Sequence, residues 1–461
     1  MADDLTEQPD AGDDDYTLER SLTSAVRAAL EGMDAIAIDA ALDPLHPADV
    51  ADLMEQISPN ERRALLGLWS MGIDGEVLSE LDENLREEVI SYLPKGVLSE
   101  AVREMDSDDV VDLVEDLEDD QQEMILGALK DVDRVAVEQA LAYPEHSAGR
   151  LMQRELVVAP EDWSVGQAID FLRRDDNLPE QFYHVILVDP AYHPTGYVTL
   201  GKLLGSPRVT KLSKIMEESF RTIPVTQPEE DVAYAFNQYH LISAPVVDED
   251  DRLVGVITID DAMVVLDDEA EEDILRLAGV SGEESLSDRT LDTVRQRLPW
   301  LGVNLLTAIL ASVVIAQFEA LLAQIVALAV LMPIVASMGG NAGTQSLTVA
   351  VRAIATKDLT GSNLWRVVRR EALAGLLNGF IFAVVMGAVG LLWFGTPMLA
   401  IVIAVAMVVN MVVAALAGIL IPIGLEKLGV DPALASGAFV TTVTDVVGFF
   451  AFLGLAAIML I

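Results

Sequence analysis

The chain has no cysteine, only five histidines, and aromatic residues at only 5% of its 461 positions. Without thiols there is no disulfide framework and no thiolate metal site. All five histidines precede Pro299, and no nucleophile–base arrangement accompanies them, which counts against an enzyme. Positive charge is also scarce: 29 Lys and Arg stand against 74 Asp and Glu, for a net charge of −45. Phosphate backbones are bound by basic surfaces, so nucleic acid is not an expected partner. The opening "MADDLTEQPDAGDDDY" is polar and acidic, unlike a signal or transit peptide. The first part of the chain is therefore expected to stay in the cytoplasm.

What is present is unevenly spread. From Pro299 onward the text is almost continuously apolar, with six basic residues (Arg352, Lys357, Arg366, Arg369, Arg370, Lys427) balancing six acidic ones (Glu319, Asp358, Glu371, Glu426, Asp431, Asp445). The whole net charge thus lies in residues 1–298. An acidic, water-soluble part is joined to a neutral membrane part. Such acidity suits cations. For most single carboxylates a solubilising face or adaptation to salt is a sufficient reading.

Residues 1–18 have the composition of a disordered acidic tail. Residues 19–144 then follow a helical period and contain a repeat. "LHPADVADLMEQISPNERRALLGL" from Leu45 aligns with "MDSDDVVDLVEDLEDDQQEMILGAL" from Met105, so that Asp49, Asp52 and Leu53 match Asp109, Asp112 and Leu113 at one offset. Repeated helical hairpins stack into a superhelix. A second repeat follows: "VVAPEDWSVGQAIDFL" from Val157 resembles "TIPVTQPEEDVAYAF" from Thr222, and each leads through an apolar strand to "GYVTLGKLL" or "GVITIDDAM". The order strand, helix, strand, strand, helix resembles a tandem pair of CBS domains, over 145–205 and 206–266. Such pairs regulate an attached part and often bind adenine nucleotides. The first repeat departs from the second at "DPAYHPTG", which counts against a nucleotide site there. Within it, "GYVTLGK" has the spacing of a phosphate loop, but Leu203 follows where Ser or Thr would bind Mg2+, and the intervening residues alternate like a strand. Nothing here supports an ATP-driven pump. The charged stretch 267–298 reads as a connecting segment, helical in its first and last parts.

Five candidate spans follow, about 300–319, 325–350, 371–394, 398–422 and 434–460. Each reaches the roughly 20 residues a spanning helix needs. All six basic residues fall after the second and fourth spans, and Arg295 and Arg297 precede the first. By the positive-inside rule the N-terminus is cytoplasmic and the C-terminus outside.

Two polar features interrupt the apolar text. Asp445 lies in the last span with no Lys, Arg or His in that segment, beside Thr441, Thr442 and Thr444. A carboxylate at membrane depth is costly and marks a polar path or a partner. Carboxylate and neutral oxygens are the donors a hard divalent cation takes. A protonated Asp bonded to a neighbouring helix is the alternative. In the second span, Pro333, Gly339, Gly340 and Gly343 are expected to break the helix, next to the amides and hydroxyls of Asn341, Thr344, Gln345 and Ser346. Broken backbone is tolerated where it lines a watery cavity; close packing through small residues explains the glycines alone.

"PIVASMGGNAGTQSLTVAVRA", "REALAGLLNG" and "LGVDPALASGAFVTTVTDVVGF", with the order of acidic helical domain, CBS pair, connecting helix and five spans, resemble the MgtE family of magnesium channels or transporters. The resemblance covers nearly the whole chain. It implies a multidomain fold: an all-α superhelical N-terminal domain, an α/β tandem CBS pair, a connecting (plug) helix over 267–298, and a five-helix α transmembrane domain over 299–461. It implies a homodimer in the lipid bilayer of the cytoplasmic membrane, with one pore on the two-fold axis. Asp445 of both chains would hold hydrated Mg2+, with a backbone carbonyl at Thr441 and the amide of Asn341 nearby. Gly339, Gly340, Thr344, Gln345 and Gly437 complete the expected pore lining. The resemblance further implies closure by cytoplasmic Mg2+ bound between the N-terminal domain, the CBS pair and the connecting helix. Carboxylates placed for this are Asp108 and Asp112 on one helix face, Asp260 and Asp261 at the last CBS helix, Glu269, Glu272 and Asp273 in the connecting stretch, and Asp431 before the last span. Expected ligands are thus Mg2+, transported and regulatory, and ATP or another adenine nucleotide at the CBS pair. A coupled carrier, a less selective divalent transporter, and a membrane-anchored CBS sensor of nucleotide or Mg2+ are the competing readings. The last leaves Asp445 and "GGNAGTQS" without a purpose.

Overall fold

The computed structural model describes residues 20–461 except 116, 118, 175–177, 180, 218, 281–289 and 461. The acidic stretch 1–18, read as disordered, lies outside the described residues, as does the middle of the connecting segment. The chain forms two compact units, Met1–Leu266 and Asp267–Ile461.

The first unit opens with helices α1 (Arg20–Gly32), α2 (Ala35–Leu42), α3 (Pro47–Gln56), α4 (Pro59–Trp69), α5 (Gly75–Ser79), α6 (Glu83–Tyr92), α7 (Lys95–Glu104), α8 (Ser107–Glu115), α9 (Asp119–Leu126) and α10 (Asp131–Ala140). Their starts are written in the sequence. In "SPNE" the Ser58 hydroxyl accepts from the Glu61 amide, the Glu61 carboxylate accepts from the Ser58 amide at 2.7 Å, and Pro59 takes the first helical position. "HPAD" at His46 repeats the device before α3. A cap of this kind is worth about 1 kcal/mol, and Pro at the first position loses no helical bond. The repeat seen in the sequence appears as two helical hairpins, α3–α4 and α8–α9. The matched Leu53 and Leu113 are both fully buried in one continuous core, which runs from Val26 to Ala140.

Two like modules follow α11 (Ala148–Leu151). The first is β1 (Val158–Pro160), α12 (Val165–Leu172), β2 (His184–Val188), β3 (Pro194–Thr199) and α13 (Leu200–Gly205). The second is β4 (Ile223–Pro224), α14 (Glu229–Tyr239), β5 (Ser243–Val247), β6 (Leu253–Thr258) and α15 (Ile259–Leu277). In each sheet the first two strands are parallel and the last two antiparallel, with an irregularity at Leu187/Val188 and again at Val246/Val247. "GYVTLGK" runs from β3 into α13, as its alternation predicts, and forms no phosphate loop. The departure at "DPAYHPTG" is one of letters rather than shape. Asp189 accepts from the amides of Ala191 and His193, and Asp248 accepts from those of Asp250 and Arg252, so both hairpins close with the same turn. No helix boundary separates the second module from the connecting stretch, since α15 continues unbroken from Ile259 to Leu277.

The second unit contains α16 (Thr290–Ala316), α17 (Glu319–Gln324), α18 (Val326–Ala355), α19 (Leu364–Phe394), α20 (Pro397–Lys427) and α21 (Pro432–Leu460). Five of these are long and apolar enough to cross a membrane. At 1.5 Å per residue the 31 residues of α19 and α20 span roughly 45 Å, beyond the ~30 Å hydrocarbon core. Their charged ends therefore stay helical outside the apolar stretch, which is why they outrun the spans read from hydropathy. α20 is the most enclosed of the five helices, and α18, α19 and α21 pack against it. The core of this unit gathers Leu331, Val335, Ile403, Met407, Phe452 and Leu453. The loop after the first span contains the short helix α17. One expectation is corrected: α18 is not broken, and Pro333, Gly339, Gly340 and Gly343 all lie within one continuous helix. Membrane helices tolerate Pro and Gly where neighbours satisfy the backbone, and here Gly339 and Gly343 serve close approach.

Candidate functional site

Two groups of the predicted residues lie in the second unit. α18 and α21 cross where Gly343 meets Val440 and Thr444; a methyl on Gly343 would lie 2.6 Å from Val440 Cγ1 and 3.5 Å from Thr444 Cγ2. Thr441 and Asp445 follow those two contacts on α21 and are only half-buried. On α18, Asn341, Thr344 and Gln345 are exposed in the single chain. Asn341 Nδ2 donates to Ser337 Oγ at 3.4 Å, and the Thr344 hydroxyl donates to the Gly340 carbonyl at 3.0 Å. Gly340 has open space where a side chain would stand. Asn341, Thr344 and Gln345 thus form an uncovered polar strip on α18. α21 carries no Lys, Arg or His beside Asp445. The Thr441 carbonyl accepts from the Thr444 hydroxyl at 3.0 Å, and the Thr441 hydroxyl donates back to Gly437 and Ala438. Its side chain thus keeps acceptor lone pairs.

Three predicted residues are placed differently. Thr444 is fully buried against α18 and offers no oxygen to the open strip. Gly339 is buried because it receives the side chain of Asn410 from α20. Gly437 is half-buried beside the end of α15: the Leu277 carbonyl would lie 3.7 Å from a methyl there. Leu277 packs with Leu347, Val351, Ala433 and Val440 at the same place.

The end of α15 is also tied electrostatically. Arg276 pairs with Glu272 one turn earlier and, at 2.5 Å, with Asp431. Asp431 uses its other oxygen to accept from the Ala433 amide at 2.8 Å, which caps the start of α21. Two carboxylates expected among the Mg2+-sensing acids therefore share a guanidinium. Glu269 and Asp273 are half-buried on the same helix. The sequence signal for the first of these pairs is an Arg four residues after a Glu.

The other acidic group lies in the first unit, where the start of α8 meets the start of α15. Asp108 is buried, and burial with the charges of Asp261, Asp109 and Asp106 pushes its carboxyl well above the usual range. Burial, then Asp261 and Asp106, raises Asp109 to about 7. Burial raises Asp261 to about 6 although the Thr258 hydroxyl donates to it at 2.6 Å. Asp112 shares the helix face but is exposed at the rim and paired with Arg86. Asp260 is exposed. Asp109, matched to Asp49 in the repeat, was not singled out as a site residue, because its burial depends on a helix distant in sequence. Among the described residues no three His, Asp or Glu side chains converge on one chelating point. Mg2+ commonly takes one or two carboxylates and keeps its waters, and the oxygen-only donor set here fits that ion.

A cleft between the two CBS-like modules is lined by Glu155, Phe182, Tyr183, His184, Ser243 and Thr258, among others. His184 Nδ1 lies 2.5 Å from Ser243 Oγ, its ring tilts against Tyr197, and burial lowers its pKa.

Comparison with known proteins supplies the lineage. The family model for the MgtE divalent cation transporter matches residues 332–455, that for the MgtE intracellular N domain matches 45–146, and that for the CBS domain matches 148–207 and 212–268. A magnesium transporter MgtE of Thermus thermophilus is 32% identical over 450 residues, covering 96% of this chain and 99% of that one. The chain belongs to the MgtE family. An MgtE of Enterococcus faecalis is 36% identical over 70% of this chain and 71% of its own. The MgtE of Bacillus subtilis is 29% identical over 90% and 92%. The crystal structure of the cytosolic domain of the Mg2+ channel MgtE in complex with ATP is similar at 30% identity and a TM-score of 0.50, over 53% of this chain and 99% of that one. As a member of MgtE, a family of transporters rather than enzymes, the chain is a multi-pass membrane protein.

Proposed function

We propose that this protein carries Mg2+ across the cytoplasmic membrane through a homodimeric pore, and that cytoplasmic Mg2+ closes it. One observation carries the reading. A carboxylate, Asp445, stands half-exposed beside the α18–α21 crossing, on a helix with no basic residue. A lone carboxylate at membrane depth is expensive. Two of them, one from each chain, are neutralised together by one divalent cation. The exposed amides and hydroxyls of Asn341, Thr344 and Gln345, with the Thr441 carbonyl, supply neutral oxygens that replace few of the ion's waters. Magnesium transport by the relatives named above supports the same cargo. The N-terminus and the basic loops face the cytoplasm on this reading.

For closure, the acids at the start of α8 and α15 form the cation-sensitive group. Burial raises the carboxyls of Asp108, Asp109 and Asp261, the charge of Asp261 adds to the first two, and protons or a divalent cation relieve them. Asp112 and Asp260 lie at its rim. At the other end of α15, Arg276 neutralises Glu272 and Asp431, and Leu277 lies against Gly437; these contacts support a gate that α15 holds against α21. The cleft between the CBS-like modules takes an adenine nucleotide, on the strength of its aromatic lining and of the ATP held by the related cytosolic domain.

The deciding experiment is Mg2+ flux into proteoliposomes for wild type and Asp445→Asn, with Mg2+ varied on the cytoplasmic side. Flux lost in the variant, and closed in wild type as cytoplasmic Mg2+ rises, is expected. Undiminished flux in the variant would make Asp445 a structural acid. Dependence on a co-ion gradient would favour the coupled carrier.

A further inference from the structure

Asn410 is the fully buried amide of the membrane unit, on α20. Its Nδ2 donates to the Val335 carbonyl of α18 at 2.8 Å, and its Oδ1 has no hydrogen-bond partner among the described residues. Two glycines from different helices close on it. A methyl on Gly339 of α18 would lie 2.2 Å from Nδ2, and a methyl on Gly448 of α21 would lie 2.9 Å from Nδ2 and 3.0 Å from Oδ1. A side chain at Gly339 clashes with Asn410, and one at Gly448 requires the amide or α21 to shift. Gly339 stands within one turn of Asn341, and Gly448 within one turn of Asp445. The amide is therefore the common spacer between α18 and α21 at the level of these polar residues.

An amide is an odd filler for such a place. Leu has the same branching and carries no desolvation cost, whereas a buried amide with an unmet oxygen is penalised. What the amide adds is direction. A hydrogen bond to one named carbonyl fixes how far along its axis α18 sits, which an apolar contact does not. Polar side chains between membrane helices act as such registers more than as glue.

We propose that Asn410 is a positioning residue for cation selection. It sets the register and separation of α18 and α21, and so the spacing at which Asn341, Thr441 and Asp445 present oxygens to a hydrated ion. The inference rests on the transport reading above and adds to it the residue that sets the fit.

The test compares wild type, Asn410→Leu and Asp445→Asn in proteoliposomes, reading Mg2+ flux against Co2+ flux, with thermal unfolding in detergent read in parallel. Asn410→Leu is expected to melt like wild type yet shift the Mg2+ to Co2+ ratio by about fivefold, the scale of one buried hydrogen bond. An unchanged ratio in that folded variant, or a changed melting temperature with an unchanged ratio, overturns the proposal. Should Asn410→Leu not fold, Gly448→Ala displaces α21 while keeping the amide and is expected to shift the ratio likewise; an unshifted ratio overturns the proposal. A wild type that passes no Mg2+ removes the transport reading. The spacer is then judged by melting of Asn410→Ala, Gly448→Ala and the pair together. Relief of the Gly448→Ala defect in the Asn410→Ala background supports it, and simple additivity overturns it.

Discussion

Burial raises the carboxyls of both Asp109 and Asp261, with the charges of Asp261 and Asp106 adding to the first and those of Asp260 and Asp106 to the second. Their pKa values in the folded chain, about 7 and about 6, exceed the ordinary value of 3.8. The folded state thus binds more protons than the unfolded one between about pH 4 and 7, so stability falls as pH rises through that window and is flat above it. Melting of the full chain in detergent should therefore be lower at pH 8 than at pH 5.5 without Mg2+. Millimolar Mg2+ should restore it mainly at pH 8. Asp109→Asn with Asp261→Asn should abolish both effects; a Mg2+ response that survives would place the sensor elsewhere. Asp108, Asp112, Asp260 and Asp261 were legible as acids in a suggestive pattern. Which of them is buried was not, since α8 and α15 meet only in three dimensions. Asp445 was legible alone, because a charge in an apolar span needs no partner to be conspicuous. Asn410 was not: one amide in a long apolar helix is unremarkable until Gly339 and Gly448 are seen to close on it.

At the scale of elements, the α18–α21 crossing depends on Gly343. Gly343→Ala should force Val440 aside, cost about 1–3 kcal/mol as overpacking does, and reduce flux; an unchanged melting temperature and unchanged flux would show that the helices separate freely. In the helical domain, Leu113→Ala should cost about 2–5 kcal/mol, read by the same melting assay, because its side chain is fully buried. Helices, strands and both repeats were legible since caps and periodicity are local: Ser58, Glu61 and Pro59 announce α4 within four residues. The glycines of α18 were misread as a break, because a sequence shows the weakness of Gly in a helix and not the neighbour that fills the groove. The tie between α15 and α21 was half legible. Glu272 and Asp431 stood out, but Arg276 supplies the cation. Each of its pairs is half-exposed and worth about 0–1 kcal/mol, so Arg276→Gln should raise the cytoplasmic Mg2+ needed for closure severalfold, and Arg276→Lys should restore part of the loss. An unaltered closing concentration would make the pairs incidental.

At the scale of the molecule, the net charge of −45 sits wholly in residues 1–298, and the remainder is neutral. That partition was the clearest thing in the sequence, and the two units divide earlier, at 266/267, so that the acidic stretch 267–298 belongs with the membrane helices. The two-fold pore is testable because the chain has no cysteine. Thr344→Cys, on the exposed strip of α18, should be joined into dimers by a short bis-maleimide in membranes, whereas a cysteine at exposed Leu392 should not. Equal yields at both positions would argue against an axis at α18.

A guanidinium fixed in the chain cannot be diluted away. Wherever Arg276 stands between Glu272 and Asp431, it removes a bound ion from the stoichiometry of closure. The proposed gate would then respond to cytoplasmic Mg2+ with a gentler slope than its count of carboxylates suggests, and freeing those two acids would make the response steeper as well as later.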